Sequence, residues 1–213
     1  MLLKSLRIVS WLTMMSLALL LVSIAVMYFS FRPDMNFLRV KQAFVNDTLW
    51  RTSFYVHITG GILAILAGPL QFLKWIRKRY VKLHRTIGKV YVVAILVIGA
   101  PAGFYMALFA NGGPWASTGF AVMAMLWFYT TLTAYRFIRQ HDVKEHRRWM
   151  VRSYALTFSA VTLRLWVPFC SIWLHMNHDS IIVLSAWVSW GINLVLAELL
   201  LLLDRRFKLR IAT

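Results

Sequence analysis

The sequence predicts an all-α polytopic membrane protein, a bundle of about six transmembrane helices with both termini in the cytoplasm. Of its 213 residues, 60% are hydrophobic and only 15% are charged. A soluble domain carries about 25% charged residues, so this apolar excess does not fit a soluble core. The apolar residues instead form long runs separated by short basic joints, a pattern typical of chains that cross a bilayer repeatedly.

Six apolar runs are each about 20 residues or longer, enough to cross about 30 Å of hydrocarbon as a helix. Helices are expected because in lipid each backbone polar group must be satisfied within its own segment. The first run is too long for a signal-peptide core, so we interpret it as an uncleaved span. The predicted spans are 6–31, 53–76, 86–110, 117–138, 150–174 and 181–203. They form a single membrane domain, in which the second to fifth helices are the expected four-helix core.

The net charge of +17 is concentrated in alternate joints of the chain. The joints after the second and fourth spans are rich in Lys and Arg, whereas 111–116 and 176–180 contain neither. The positive-inside rule therefore predicts that the basic joints face the cytoplasm, and we expect a bacterial inner membrane. The outer loop 32–52 is also basic, although Asp34 and Asp47 offset part of its charge. The expected partners are the bilayer and its anionic headgroups, and no nucleic acid.

A stripe of small and polar residues runs along the second span. His57, Gly61, Ala64, Gly68 and Gln71 recur at spacings of three or four, so they share one helix face. Such a face lets a neighbouring helix approach closely, or leaves room for a flat cofactor. The simpler alternative is a close-packed seam in which His57 is hydrogen-bonded inside the bundle.

The fifth span carries a longer polar stripe, in which Arg164 is the most unusual residue. About 14 residues, or about 21 Å, separate Arg164 from the predicted inner end of its helix. A charge at that depth costs at least about 2.5 kcal/mol and marks a candidate functional site. We expect His57 at a comparable depth, so one hypothesis is an outer cofactor site lined by His57 and Arg164. The alternative is that Arg164 snorkels or binds backbone carbonyls.

His84 and His146 begin the third and fifth spans on the predicted cytoplasmic side, and an arginine follows each of them. Two histidines on facing helices can ligate a haem iron axially, and nearby arginines suit the haem propionates. These two histidines are therefore the candidate metal ligands, and the metal would be a haem iron. The alternative is a pair of interfacial histidines in joints that face the headgroups.

Glu198 is the only acidic residue well inside a predicted span, at about the level of Gln71 and Gly88. It is a candidate proton-relay acid, or else the structural partner of a basic residue such as Lys89 or Arg152. We expect Gly88 to extend the packing or pocket face formed by the second span. The sequence contains no phosphate-binding loop, serine-nucleophile motif or paired intramembrane carboxylates. No catalytic residue is therefore assigned, and whether the protein is an enzyme stays open.

Three segments of the chain carry a family resemblance. They are HITGGILAILAGPLQF, LHRTIGKVYV and KEHRRWMVRSYAL. They resemble an uncharacterised bacterial membrane family, domain of unknown function 2306, which implies no established activity. More distantly, they are similar to six-helix cytochrome b561-type proteins, which pass electrons through two haems held by four histidines. The fourth span here has no histidine, so at most one bis-histidine haem, through His84 and His146, carries over easily.

The leading functional hypothesis is a transmembrane electron-transfer protein that binds haem b or a quinone among the second to fifth helices. The alternative is a non-enzymatic membrane protein, such as a small-solute or proton transporter or an assembly factor. It would use the polar face of the fifth helix, with Arg164 as its central charge. Transporters favour helices broken near the midplane, and Pro101 and Pro168 are candidate positions for such breaks.

Overall fold

The computed structural model describes the backbone of residues 2–212 and the side chains of residues 5, 8–35 and 37–204. The basic side chains of Lys4, Arg7 and the tail 205–210, which contribute to the predicted topology, lie outside the described residues. Within the described backbone the regular elements are helices and no strand occurs, which confirms the all-α prediction.

Nine α-helices follow one another along the described chain. They are α1 (Leu2–Met27), α2 (Asn36–Arg39), α3 (Thr48–Phe72), α4 (Lys74–Arg79), α5 (Val81–Val93), α6 (Ala100–Ala107), α7 (Gly113–Arg139), α8 (Val143–Trp173) and α9 (His178–Ala212). A short 3₁₀ turn, Tyr28–Ser30, follows α1. A π-helical segment, Ala94–Gly99, joins α5 directly to α6, and Pro101 is the second residue of α6.

Five helical stretches are long and apolar enough to cross a membrane, judged by length and composition alone. They are Ile8–Ser30, Thr48–Phe72, Val81–Ala107, Val143–Trp173 and His178–Asp204. They confirm an integral membrane protein with several spans. Helix α7 overlaps the predicted fourth span and has 27 residues, but it is not among the five. Its threonine, tyrosine and glycine residues dilute its apolar content, so the sixth crossing stays a prediction.

The chain divides into two compact units, Met1–Met106 and Ala107–Thr213, which are described separately. In the first unit, α3 is the central helix and packs against α1, α5 and the π-helical segment. Its buried core includes Ile65, Tyr91 and Ile95. The indole Nε1 of Trp11 on α1 donates a 2.9 Å hydrogen bond to the carbonyl oxygen of Pro69, which ties α1 to α3.

The loop between α1 and α3 is folded and packs onto the start of α3. Trp50 is 1% exposed, and its ring stacks on Phe54 at a centroid distance of 5.9 Å and an interplanar angle of 8°. Asp47 caps α3, because its carboxylate accepts a 2.6 Å hydrogen bond from the amide nitrogen of Trp50. The ammonium of Lys41 is buried in this aromatic cluster, 5.7 Å from the Phe44 ring centroid.

The second unit is built from three long helices, in which α8 packs against both α7 and α9, and α7 also packs against α9. A glycine allows the close approach of α7 to α9. A Cβ atom at Gly119 would lie 2.9 Å from the carbonyl oxygen of Ala186, closer than real Cβ atoms come to a backbone oxygen. Small residues at such crossings let membrane helices pack backbone to backbone.

Candidate functional site

His57 lies on α3 and faces the π-helical segment of the same unit. Its ring nitrogen Nδ1 lies 2.8 Å from the carbonyl oxygen of Gly99, the last residue of that segment. A carbonyl oxygen can only accept, so we assign the proton of the neutral ring to Nδ1 and the lone pair to Nε2. The side chain is half-buried, and this hydrogen bond fixes both its orientation and its tautomer.

Gly103 on α6 makes room for the imidazole. A Cβ atom at Gly103 would lie 2.7 Å from Nδ1 and 2.8 Å from Cε1 of His57. Any side chain at this position would therefore displace the ring or the helix. Spacing along the chain does not link Gly103 to His57, so helical periodicity could not predict this contact.

The π-helical segment approaches α3 most closely at Gly60. A Cβ atom at Gly60 would lie 2.7 Å from the carbonyl oxygen of Ala94 and 2.8 Å from the amide nitrogen of Gly99. Only a residue without a side chain lets two backbones come so close. π-helical turns within longer helices occur frequently at functional sites. We refer to His57, Gly60, Gly99 and Gly103 together as the His57 corner.

The face of small residues predicted on the second span is only partly buried in α3. Ala64 and Gly68 are buried, whereas Gly61 is half-buried. No described atom lies within 4 Å of a Cβ atom built at Gly61, so the close backbone approach uses the adjacent Gly60. Two consecutive glycines lie three and four residues after His57, and helical periodicity alone does not distinguish between them.

Gln71, His84 and Gly88 come together where α3 meets α5. The side-chain Nε2 of Gln71 donates a 3.2 Å hydrogen bond to the carbonyl oxygen of His84. A Cβ atom at Gly88 would lie 3.6 Å from Gln71 Oε1, an ordinary van der Waals distance. The His84 ring is half-buried. Gln71 follows His57 by 14 residues along α3, which is about 21 Å of helix, so these residues are distant from the His57 corner.

His146 has the same hydrogen-bond arrangement within the second unit. It is the fourth residue of α8, and its Nδ1 lies 2.8 Å from the carbonyl oxygen of Ala134 on α7. The same reasoning assigns the proton to Nδ1 and the lone pair to Nε2. The ring is half-buried. Metal-binding histidines typically donate their second nitrogen to a backbone carbonyl or carboxylate in this way.

Part of the polar stripe of α8 packs against α7. The hydroxyls of Ser153 and Thr131 lie 2.7 Å apart, and Thr157 Oγ1 accepts a 2.8 Å hydrogen bond from Trp127 Nε1. All four side chains are buried. Such hydrogen bonds satisfy polar groups inside an apolar bundle and join neighbouring helices. These side chains therefore join α8 to α7.

Arg164 is exposed on α8, and its Nη1 donates a 3.1 Å hydrogen bond to the carbonyl oxygen of Ala160, one turn earlier on the same helix. Helix α8 continues through Pro168 to Trp173, so this proline lies inside a continuous helix.

On α8, Thr162 connects to α9 through a 3.0 Å hydrogen bond from its hydroxyl to Asn193 Oδ1.

Glu198 of α9 forms a bidentate ion pair with Arg152 of α8. The guanidinium Nη2 donates to Oε2 at 2.9 Å, and Nε donates to Oε1. The guanidinium carbon of Arg152 also lies 4.7 Å from the centroid of the Trp149 ring. Bidentate geometry and an aromatic face are the contacts that arginine makes best. Glu198 and Arg152 thus form an ion pair that joins α9 to α8.

Among the described side chains, no group of three or more His, Cys, Asp or Glu residues is arranged to hold a metal ion. An ordinary zinc or iron site with three or four protein ligands therefore finds no support in this part of the chain. A haem iron differs, because the porphyrin supplies four ligands and the protein only one or two axial ones. The residues relevant to haem binding are therefore the individual histidines.

Long apolar helices, several of them able to span a bilayer, define this chain as a polytopic α-helical membrane protein. Residues 54–201 match the family described as "Predicted membrane protein (DUF2306)", and the chain therefore belongs to that family. The match extends beyond the three resembling segments and runs from within α3 to within α9. Neither a curated protein nor a solved structure matches the chain.

Proposed function

We propose that this protein is an electron-transfer protein of the bacterial inner membrane that binds haem b or a quinone among its helices. The observation that carries the proposal is the hydrogen bonding of two half-buried histidines. Nδ1 of His57 and Nδ1 of His146 each lie 2.8 Å from a backbone carbonyl oxygen. Each ring therefore keeps Nε2 as its lone-pair nitrogen in a fixed orientation.

The chemistry of these imidazoles fits both candidate groups. An Nε2 lone pair is the usual axial ligand of a haem iron, and it can equally accept a hydrogen bond from a quinol hydroxyl. When bound, either group would supply reversible one-electron chemistry. The protein would orient the imidazole, exclude water from it and provide an apolar environment, as membrane redox sites require.

His84 and His146 are the proposed haem ligands, and His57 and Arg164 are proposed to contact the bound group. The packing at Gly60 and Gly103 supports a role for His57. Gly60 lets the π-helical segment approach α3, and Gly103 leaves room for the imidazole ring. Glu198 is proposed as a structural residue, since both its oxygens accept from Arg152.

The transporter alternative has less support. It requires the polar face of α8 to line a wet path, whereas Ser153 and Thr157 on that face are buried and bonded to α7. It also favours helices broken near the midplane, whereas α8 is continuous through Pro168.

The proposed topology has six crossings, with α7 as the fourth, and both termini in the cytoplasm. It is tested by single cysteines introduced at Asp34 and at Gln140, both exposed, against the background of the buried Cys170. An impermeant maleimide should label the Asp34→Cys variant in intact cells and the Gln140→Cys variant only after permeabilisation. The reverse pattern would contradict the orientation.

The redox proposal is tested by absorption spectra of the detergent-purified protein from haem-replete cells, oxidised and then dithionite-reduced. We expect a haem Soret band that is lost or shifted in His57→Ala, His84→Ala or His146→Ala. His141→Asn is the matched control, because His141 is exposed and its positive φ of 63° suits asparagine. If the folded protein is colourless, the organic extract must contain a stoichiometric quinone; the absence of both groups would refute the proposal.

A further inference from the structure

Helix α4 and the start of α5 form a strongly basic corner of the first unit. The residues from 48 to 141 contain no Asp or Glu at all. Within this stretch, six Lys and Arg residues lie close together, and five of the six are exposed while Arg77 is half-buried. They are Lys74, Arg77, Lys78, Arg79, Lys82 and Arg85. We refer to residues 74–85 as the α4–α5 corner.

The positive charge of the α4–α5 corner is not compensated by carboxylates of its own unit. That unit contains two acidic residues, Asp34 and Asp47. Asp34 forms an ion pair with Arg32 at 3.1 Å, and Asp47 accepts the amide of Trp50 as the cap of α3. Among the described side chains, none of the six basic residues forms an ion pair.

In the second unit, three arginines near the start of α8 have carboxylate partners. There Arg147 pairs with Asp204 at 3.7 Å, Arg148 with Glu145 at 2.7 Å, and Arg152 with Glu198. Among the described residues, carboxylates of the second unit thus pair with arginines at the start of α8, whereas the two carboxylates of the first unit are engaged away from the α4–α5 corner. A cluster of six like charges on a short segment repels itself unless anions from outside the chain approach it.

Exposed aromatic and apolar side chains are interleaved with these charges. Trp75 is 59% exposed and Tyr80 is 42% exposed, and their ring centroids lie 4.7 Å apart in an edge-to-face arrangement. Val81 and Leu83 are exposed as well. Tryptophan and tyrosine favour the headgroup level of a bilayer, and basic residues beside them favour anionic lipid. A soluble anion would leave these apolar surfaces in water.

The backbone also sets the corner apart from the spans on either side. Leu73 and Tyr80 are non-helical residues that separate α4 from α3 and from α5. The six-residue helix α4 therefore need not continue the direction of either span. Such a short basic and aromatic segment between two spans suits the interface between hydrocarbon and water.

We propose that the α4–α5 corner binds the phosphate groups of anionic phospholipids, with Trp75 and Tyr80 seated among the headgroups. The inference rests on the bilayer setting of α3 and α5, but it needs neither the redox function nor a particular sidedness. Lipid binding and cofactor binding can therefore fail independently. A multivalent headgroup with two phosphates should be favoured, because several cations converge on one short segment.

The test uses the full-length protein in nanodiscs made with equal amounts of zwitterionic lipid and either phosphatidylglycerol or cardiolipin, followed by native mass spectrometry. The triple variant Lys74→Gln, Lys78→Gln and Arg79→Gln removes three charges from the corner. The matched control removes three charges from the other basic joint, as Arg136→Gln, Arg139→Gln and Lys144→Gln. Circular dichroism and a monodisperse elution profile establish that each variant is folded.

We expect the corner variant to retain about fivefold less anionic lipid than the wild type, and the control less than about twofold less. Trp75→Ala should also reduce retention although it changes no charge. Equal losses in the two triple variants would mean diffuse attraction and would overturn the proposed site, as would unchanged retention in the corner variant. Displacement of the lipid by an equal concentration of inorganic phosphate would reassign the corner to soluble anions and so contradict the proposal.

Discussion

Nδ1 of His57 lies 2.8 Å from the carbonyl oxygen of Gly99, which is 42 residues further along the chain. This contact connects the proposed cofactor-facing imidazole to the irregular π-helical segment of the third apolar stretch. A π-helical turn shifts the hydrogen-bond pattern of a helix locally, so it can redirect a carbonyl group toward a neighbouring side chain. The orientation of His57 therefore depends on how closely α3 and this segment pack.

The adjacent glycines of α3 should respond in opposite ways to alanine. Gly60→Ala places a Cβ atom 2.7 Å from a backbone oxygen and should destabilise the fold by about 1–3 kcal/mol, as overpacking does. Gly61→Ala meets open space and should be neutral, or stabilising by up to about 1 kcal/mol through helix propensity. Thermal unfolding in detergent measures both. Similar midpoints for the two variants would contradict the close approach at Gly60.

A double-mutant cycle tests the packing of Gly103 against His57. Gly103→Ala should lower the unfolding midpoint, because its Cβ atom would lie 2.7 Å from Nδ1 of the imidazole. In the His57→Ala background the same substitution should cost far less, so the two effects should not add. Additive effects would mean that Gly103 is required for a different reason.

The ion pair of Arg152 and Glu198 should contribute more to stability than that of Arg147 and Asp204. The Arg152 side chain is only 18% exposed, so Glu198→Gln leaves a poorly solvated guanidinium without its countercharge, at a cost of about 1–3 kcal/mol. In the second pair both side chains are well exposed, and Asp204→Asn should cost less than about 1 kcal/mol. Unfolding midpoints at constant salt compare them. An equal loss in the two variants would contradict this ranking.

Lys41 should make the stability of the first unit depend on pH. Burial lowers the pKa of Lys41 below its ordinary value of 10.5, and the Phe37 and Phe44 rings offset part of that effect. In the window just below 10.5, the unfolded chain then binds more protons than the folded chain, so stability should rise with pH. Lys41→Met should flatten the dependence of the unfolding midpoint on pH in this window. Parallel profiles for the wild type and Lys41→Met would refute the shift.

The helical membrane class could be predicted from the sequence, because a bilayer requires apolar runs of about 20 residues and places basic residues in alternate joints. The predicted second span, 53–76, overlaps α3, Thr48–Phe72, but it continues past Leu73 into α4. Residues 74–85 could be identified as basic, but the separation of the short helix α4 from α3 and α5 could not be predicted. That division depends on the backbone of Leu73 and Tyr80, which no pattern of side chains specifies.

The His57 corner was predicted only in part. Periodicity placed His57 and Gly61 on one face of the second span, whereas the close backbone approach is at the adjacent Gly60. The partner surface is a π-helical segment of ordinary apolar residues, Ala94–Gly99, which carries no sequence signal of its own. Its form depends on tertiary packing, so the contributions of Gly99 and Gly103 were not accessible to sequence reasoning.

Histidines of this membrane protein are proposed to hold a redox group, haem b or a quinone. The most direct measurement is the amount of haem b per chain in the folded wild-type protein, purified from haem-replete bacteria and assayed as the pyridine haemochrome. Quinone is quantified in an organic extract of the same sample. We expect at least one haem b or one quinone per chain, and a lower amount in His57→Ala or His146→Ala but not in His141→Asn. A folded wild-type protein that contains neither group would contradict the claim.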